Sequence, residues 1–342
     1  MKTKLALAVF STLAMMSSTA NAEVKVSTKG GLKVSSGDFN FSVGGRIMYD
    51  YNKAEENGVT DEDGFNLRRG RIAIKGNIAK DWKFKSQFNT NGSGVEDLYL
   101  TYTGWGSGAN VTVGNFIQPF GLEQITSSKD ISVLERSAAT EQYALGRQEG
   151  IKFHGKSGNS TYAASIFYDD VNDNEEGEET GFAARYTIAP IKSDSSVVHL
   201  GLAYRDIDDE SALGFEAAAT SGPFHIQAEY MDGEQGTDDI SGYYVQAGYI
   251  LTGESRPYKG GIFKRVKPKG NSGAWEVVAR YEDGDANYSD IELGRTDATS
   301  YTLGVNWYAH KNIRFGVNYT DGEDNLSNDD GSEFRVRFQL TF

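Results

Sequence analysis

The chain has no cysteine and, in 342 residues, only 5 prolines. The first absence excludes a disulfide-stapled fold and any thiolate metal site. Beyond the N-terminal two dozen residues there is no run of ~18 consecutive apolar residues, so no helix is expected to cross a membrane. Chemistry-bearing motifs are missing as well. The four histidines, His154, His199, His225 and His310, show neither metal-ligand spacing nor a serine partner motif. Gly104-Trp105-Gly106-Ser107-Gly108 reads as a turn rather than a phosphate loop, because no helix follows it. An enzyme is therefore not expected, nor a cofactor, nor a nucleic-acid partner. What is abundant is glycine (40) and tyrosine (19), which suits one large, turn-rich β-structure better than several small domains.

Lys2 and Lys4 precede an apolar stretch from Leu5 to about Met16 and then Ala20-Asn21-Ala22, so residues 1–22 read as a secretory signal peptide and the mature chain as 23–342. At the other end, Glu333 through Phe342 alternates strictly, with Phe334, Val336, Phe338, Leu340 and Phe342 on one face and Glu333, Arg335, Arg337, Gln339 and Thr341 on the other. The same two-residue period recurs along the chain with aromatics on one phase. A soluble sandwich would show it too, but its persistence is what a transmembrane β-barrel requires. The terminal phenylalanine resembles the assembly signal of bacterial outer-membrane proteins.

The fold class expected is all-β, a transmembrane antiparallel barrel of about sixteen strands. They are placed near residues 39–52, 64–79, 80–90, 95–104, 109–117, 148–155, 159–169, 178–188, 196–205, 211–220, 223–232, 241–252, 273–282, 298–308, 312–320 and 332–342. Residues 23–38 alternate weakly and read as a periplasmic extension. Connections alternate between long, polar ones and short ones such as Ser221-Gly222, the outer-membrane pattern of long outside and short inside. The six polar outer loops expected at 53–63, 169–180, 206–210, 232–239, 282–297 and 321–333 hold about two-thirds of the acids and only two bases, Lys53 and Arg295. The net charge of −14 thus hides a barrel in which bases outnumber acids. Charge on the lipid face costs ~2–4 kcal/mol near the midplane, so most of these bases belong in the lumen. The acidic tips are solvated, and could bridge lipopolysaccharide through divalent cations.

Strand phase identifies the bases. Trp82, Phe84 and Phe88 share one face, leaving Lys83 and Lys85 on the other, and by the same parity Arg46, Lys152, Arg185, Arg205, Arg280, Arg314, Arg335 and Arg337 face inward. Between Leu67 and Ile72 the apolar phase slips by one residue, which calls for a β-bulge. A slip between Arg68 and Arg69 turns Arg68, Arg69 and Arg71 all inward, three guanidiniums with the donor geometry for a tetrahedral oxyanion, and Lys129 is expected within reach of the same anion. Residues 118–147 are too long and too apolar for a free hairpin tip and are expected to fold into the barrel. They carry Ser127, Ser128, Lys129 and Arg136 beside Glu123, Asp130 and Glu135. The long turn from Thr252 to Gly273 holds six bases against Glu254 alone and is expected to fill the inner vestibule.

Arg68-Arg69-Gly70-Arg71, Glu96-Asp97-Leu98-Tyr99, Pro119-Phe120-Gly121-Leu122-Glu123, Ser127-Ser128-Lys129, Leu134-Glu135-Arg136 and Leu251 through Tyr258, with Gly261, Phe263, Arg265 and Pro268, occur in this order across most of the mature chain. In these the sequence resembles the phosphate-selective porins of the O and P type from Gram-negative outer membranes. The resemblance implies a homotrimer of sixteen-stranded barrels with an inward-folded third loop and an inward-folded basic periplasmic turn. It also implies a central anion site, carried over here to Arg68, Arg69, Asp97, Ser127, Ser128 and Lys129, and a water-filled channel for phosphate or other small anions in contact with outer-membrane lipid and lipopolysaccharide. The family's run of arginines down one pore wall is represented in Gly181–Tyr186 by Arg185 alone. Anion preference therefore carries over further than phosphate specificity. A general diffusion porin for small hydrophilic solutes is the alternative, and a structural or adhesive barrel the third reading.

Overall fold

The computed structural model describes residues 23–28, 31–92, 94–169, 179–208, 210–288 and 294–342; the expected signal peptide lies outside them, as does most of the expected loop 169–180. Strands run in order β1 (Lys25–Ser27), β2 (Leu32–Ser36), β3 (Phe39–Glu56), β4 (Val59–Ala79), β5 (Trp82–Asn89), β6 (Gly94–Tyr102), β7 (Asn110–Ile117), β8 (Arg147–Ser157) and β9 (Ser160–Asp169). They continue as β10 (Glu179–Lys192), β11 (Ser196–Ile207), β12 (Glu210–Ser221), β13 (Phe224–Gln235), β14 (Asp238–Ile250), β15 (Ala274–Tyr288), β16 (Gly294–His310), β17 (Ile313–Asp324) and β18 (Asp329–Thr341). Sixteen of these, β3 to β18, pair with their sequence neighbours in antiparallel fashion, and β18 returns to β3 in register from Gly331↔Glu56 to Thr341↔Arg46. Closure leaves the barrel no free edge. At the seam the Gly45 N–H donates to the Phe342 carbonyl at 2.9 Å, and a Cβ on Gly45 would run into the Phe342 ring.

The polarity of the wall is inverted relative to a soluble domain. In β11, Leu200, Leu202 and Tyr204 are exposed on the outer face, while His199, Ala203 and Arg205 are buried inside. Only hydrocarbon on the outside makes that arrangement favourable. Aromatic rings mark both rims of the apolar band: Trp275, Trp307, Phe315 and Phe338 stack successively at 5.3–5.6 Å toward the short-turn end, and Tyr243, Tyr281 and Tyr301 neighbour one another toward the other end. Leu303 and Val305 lie between them on the outer face.

The structure adds detail to one expectation and corrects another. Residues 23–38, read as a periplasmic extension, include β1 and β2, a small hairpin whose second strand adds to β3 from Leu32↔Val43 to Ser36↔Phe39, below the β18 seam. The stretches 53–63, 206–210, 232–239 and 321–333 are not open loops. Their strands continue as paired ladders to tight turns, as at Glu56↔Val59, where Asn57 and Gly58 both have positive φ in the manner of a type I′ turn. Paired backbone in water needs no alternating side chains, so these polar stretches carried no period-two signal.

Residues 118–146 between β7 and β8, and 251–273 between β14 and β15, fold into the barrel. The first includes two short helices, α1 (Leu122–Ile125) and α2 (Ala138–Tyr143). Phe120, Leu122, Ile131, Leu134 and Tyr143 of that loop are buried, with Phe120 and Tyr143 packed on Ala203, Ala212, Met231 and Ile240, and Leu122 packed on Ala218 and Phe263. The half of the lumen facing β11–β18 is thereby filled, and the open half faces β3–β10.

Candidate functional site

The inward loop is held by hydrogen bonds to its backbone. Glu229 of β13 accepts from the N–H groups of Leu122 and Glu123, satisfying donors that the first turn of α1 leaves open. Along the following segment, guanidiniums from the far wall and the inner turn grip successive carbonyls. Arg256 donates to Asp130 O (3.2 Å), Arg314 to Ile131 O (2.7 Å) and Ser132 O (2.6 Å), Arg337 to Leu134 O, and Arg280 to Glu135 O (2.7 Å). Ser132 Oγ adds a bond to Glu276 at 2.8 Å. Buried carbonyls in an irregular segment need such donors, and arginine supplies several from one side chain. Much of the inward-facing arginine is thus structural.

This clasp delivers Glu135 to the middle of the lumen wall. Pairing between β3 and β4 steps from Met48↔Arg69 to Tyr49↔Leu67, leaving Arg68 as the extra residue of a bulge. Arg68 and Arg69 both reach Glu135, each through two hydrogen bonds of 3.0–3.1 Å. Arg335 donates to the same carboxylate at 3.0 Å and Arg337 joins them. Asp50 accepts from Arg337 at 2.7 and 2.5 Å and from Arg335 at 3.3 Å, and Glu333 accepts from Arg335 at 2.6 Å. Burial alone would raise the pKa of Glu135. Arg337, Arg69 and Arg68 outweigh it and hold this loop carboxyl far below the usual carboxylate range.

A second cluster lies one step toward the short turns. Arg71 pairs with Glu96 (2.5 Å), Arg147 with Glu96 (2.9 Å) and Asp97 (3.0 Å), and Lys85 with Asp97 (2.6 Å). Arg46, opposite Arg71 across β3 and β4, donates to Ser128 Oγ at 2.6 Å. Lys129 has no carboxylate within ion-pair distance among the described residues. Burial lowers its ammonium pKa; Asp130 opposes this, and the charges of Arg46, Lys75 and Arg265 reinforce it.

Below these clusters opens a cavity of about 900 Å³ lined by Lys75, Lys83, Lys85, Lys152, Lys156 and Arg185, with Tyr99, Thr101, Thr112, His154 and Thr161 between them and, among the described residues, no aspartate or glutamate. Lys75, Lys83, Lys152 and Lys156 carry no ion pair among the described residues. Lys152 Nζ donates to Ile117 O and sits 4.1 Å from the Phe116 ring centroid.

The sequence-derived site residues therefore divide. Arg68 and Arg69 meet at Glu135, while Arg71 turns to Glu96 and Lys129 stands with Arg46 and Lys75, so the four residues expected to face one anion have different protein partners. The bulge separates Arg68–Arg69 from Arg71 along the wall. Asp97 meets Lys85 and Arg147 rather than the double arginine. The carbonyl of Ser127 accepts from Asp130 N at 2.7 Å in a turn, while Ser128 meets Arg46. Arg136 is not among the cavity's lining residues: it donates to the carbonyls of Glu123, Gln124 and Thr126 and staples the loop to itself. Arg185 borders the cavity but is bound along its Nε–Nη2 edge by both oxygens of Glu216 (2.6 and 2.5 Å). Lys83, Lys85 and Lys152 line the cavity. Lys75, Lys156 and Arg147 were not singled out from the sequence, nor was the role of Glu135. Lys75 shares phase with Arg71, and Lys156 with Lys152, so parity held the signal for those two.

A closed sixteen-stranded barrel with apolar exterior, aromatic rims, charged lumen and an inward third loop is the architecture of an outer-membrane porin. The family model for phosphate-selective porin O and P matches residues 41–211 and 205–342, and the chain belongs to that family. Porin O of Pseudomonas aeruginosa is 33% identical, with 95% of this chain and 94% of that protein covered. Among solved structures, an anion-selective porin from Comamonas acidovorans superposes with TM-score 0.62 at 14% identity, covering 88% of this chain and 99% of that one. The trimer form of OmpT from Vibrio cholerae gives 0.58 at 11%, with the same coverage. The protein resides in the bacterial outer membrane.

Proposed function

We propose that the protein is an anion-preferring, water-filled channel for passive uptake of phosphate or other small anions, working as a homotrimer rather than as an enzyme. The observation that carries this is the cavity of about 900 Å³ whose charged lining is entirely basic. Fixed positive charge between low-dielectric walls raises the local concentration of anions and repels cations. Lys75, Lys83, Lys152 and Lys156 meet no carboxylate at ion-pair distance among the described residues, and Lys129 with Arg46 and Ser128 extends the basic surface to the loop. Asp97, held by Lys85 and Arg147, orients that pair rather than repelling the solute. Similarity to Porin O, in a family described as phosphate-selective, supports the reading, as does the shared fold of the anion-selective Comamonas porin. The trimer rests on the OmpT trimer form. Contact with lipopolysaccharide rests on the acidic outer hairpins.

Phosphate, specifically, gains less support. Arg68 and Arg69 are engaged by Glu135, and Arg185 by Glu216, so among the described residues no wall offers a row of free guanidiniums. The general diffusion porin is the reading that competes. Reversal potential in planar bilayers across a potassium chloride gradient tests the proposal: chloride preference is expected, and a potassium preference or none refutes it.

A further inference from the structure

We infer that Glu135 is an internal counter-anion that sets the channel's affinity for oxyanions, its carboxylate filling the position that Arg68, Arg69, Arg335 and Arg337 otherwise present to a solute. The inference rests on the anion-channel reading and deepens it. Both Glu135 oxygens are used, by two hydrogen bonds each from Arg68 and Arg69 and by further donors from Arg335 and Arg337. The outer flanks of Arg335 and Arg337 are taken by Glu333 and Asp50. Four guanidiniums thus face three carboxylates, and Glu135 alone among these comes from the inward loop.

The carboxylate cannot swing far. Its own carbonyl is held by Arg280, and those of Leu134, Ser132 and Ile131 by Arg337 and Arg314. A tethered group competes with a free ion at high effective concentration. The cluster is nevertheless open to the lumen: the Glu135 side chain is 24% exposed and that of Arg68 39%. A passing dianion therefore meets a site built for it and already filled, which keeps binding weak and passage fast. Removing the charge of Glu135 while keeping its shape leaves only a neutral, weaker acceptor among the four guanidiniums, and a dianion that displaces it gains charge-assisted bidentate contacts, which are strong ones.

The test uses the full mature channel in planar bilayers, reading block of chloride current by inorganic phosphate together with reversal potential. Glu135→Gln is expected to lower the half-blocking phosphate concentration by about tenfold while the channel stays chloride-preferring. Glu141→Gln removes an exposed loop carboxylate paired only loosely with Arg136, at 3.7 Å, and is expected to leave block unchanged. Unchanged or weaker block in E135Q overturns the inference, as does an equal gain in E141Q, which would reduce the effect to net charge. If E135Q does not insert, Glu135→Asp, whose shorter stem cannot reach all four partners, is expected to tighten block by a smaller factor, and no tightening overturns the inference. Potassium preference in the unmodified channel fails the anion-channel reading instead, and is told apart by its reversal potential.

Discussion

Arginine and lysine have separate tasks in this barrel. The arginines are nearly all committed: Arg314 is fully buried and spends its donors on Ile131 O, Ser132 O and Asn306 Oδ1, whereas the unpaired lysines face the open cavity. A planar guanidinium suits fixed multi-acceptor contacts, and an ammonium on a flexible stem suits a hydrated wall. Arg314→Met leaves the buried Ile131 carbonyl without its donor, at about 1–3 kcal/mol, and leaves Ser132 O with Asn306 Nδ2 as its remaining donor. The expected outcome is a lower thermal midpoint in detergent and a larger, noisier single-channel current as the loop loosens; unchanged current would contradict the clasp. Lys83→Gln is expected to weaken chloride preference in reversal-potential measurements without altering stability. Parity in the sequence showed which bases face inward. It could not show which carboxylate each would meet, because Glu135 lies 67 residues from Arg68 and 200 from Arg335 in the chain, and only the loop's course joins them.

At the level of elements, the sixteen barrel strands were legible because membrane burial forces a period of two, and the bulge was legible because Leu67 and Ile72 sit on opposite phases. The inward loop showed itself by apolar residues that a hairpin tip would not carry. The hairpin extensions did not show, since strands with water on both faces have no pattern to keep. Nor did the β1–β2 hairpin, whose three- and five-residue strands are too short to establish one. The inverted wall makes a direct prediction. Leu303, 65% exposed on the outer face between the aromatic rims, is expected to cost ~2–4 kcal/mol of folding stability when replaced by arginine. Urea titration of refolding into lipid vesicles checks this, and a change near zero would mean that face does not meet lipid.

For the whole molecule, a net charge of −14 and an anion channel are compatible because charge is sorted by place. Acids crowd the outer hairpins, where salt screens them beyond a Debye length of ~8 Å at physiological ionic strength, and unpaired lysines crowd the cavity, where screening is weaker. The central claim is that these lumen lysines, and not the mouth, decide which ions pass. It is tested most directly by the reversal potential, across a potassium chloride gradient, of a channel with Lys75, Lys83, Lys152 and Lys156 all changed to glutamate, beside one with Glu55, Glu62, Asp63 and Glu323 of the outer hairpins changed to glutamine or asparagine. The account predicts that the first reverses to potassium preference and the second stays chloride-preferring; a lysine variant that still prefers chloride would contradict it.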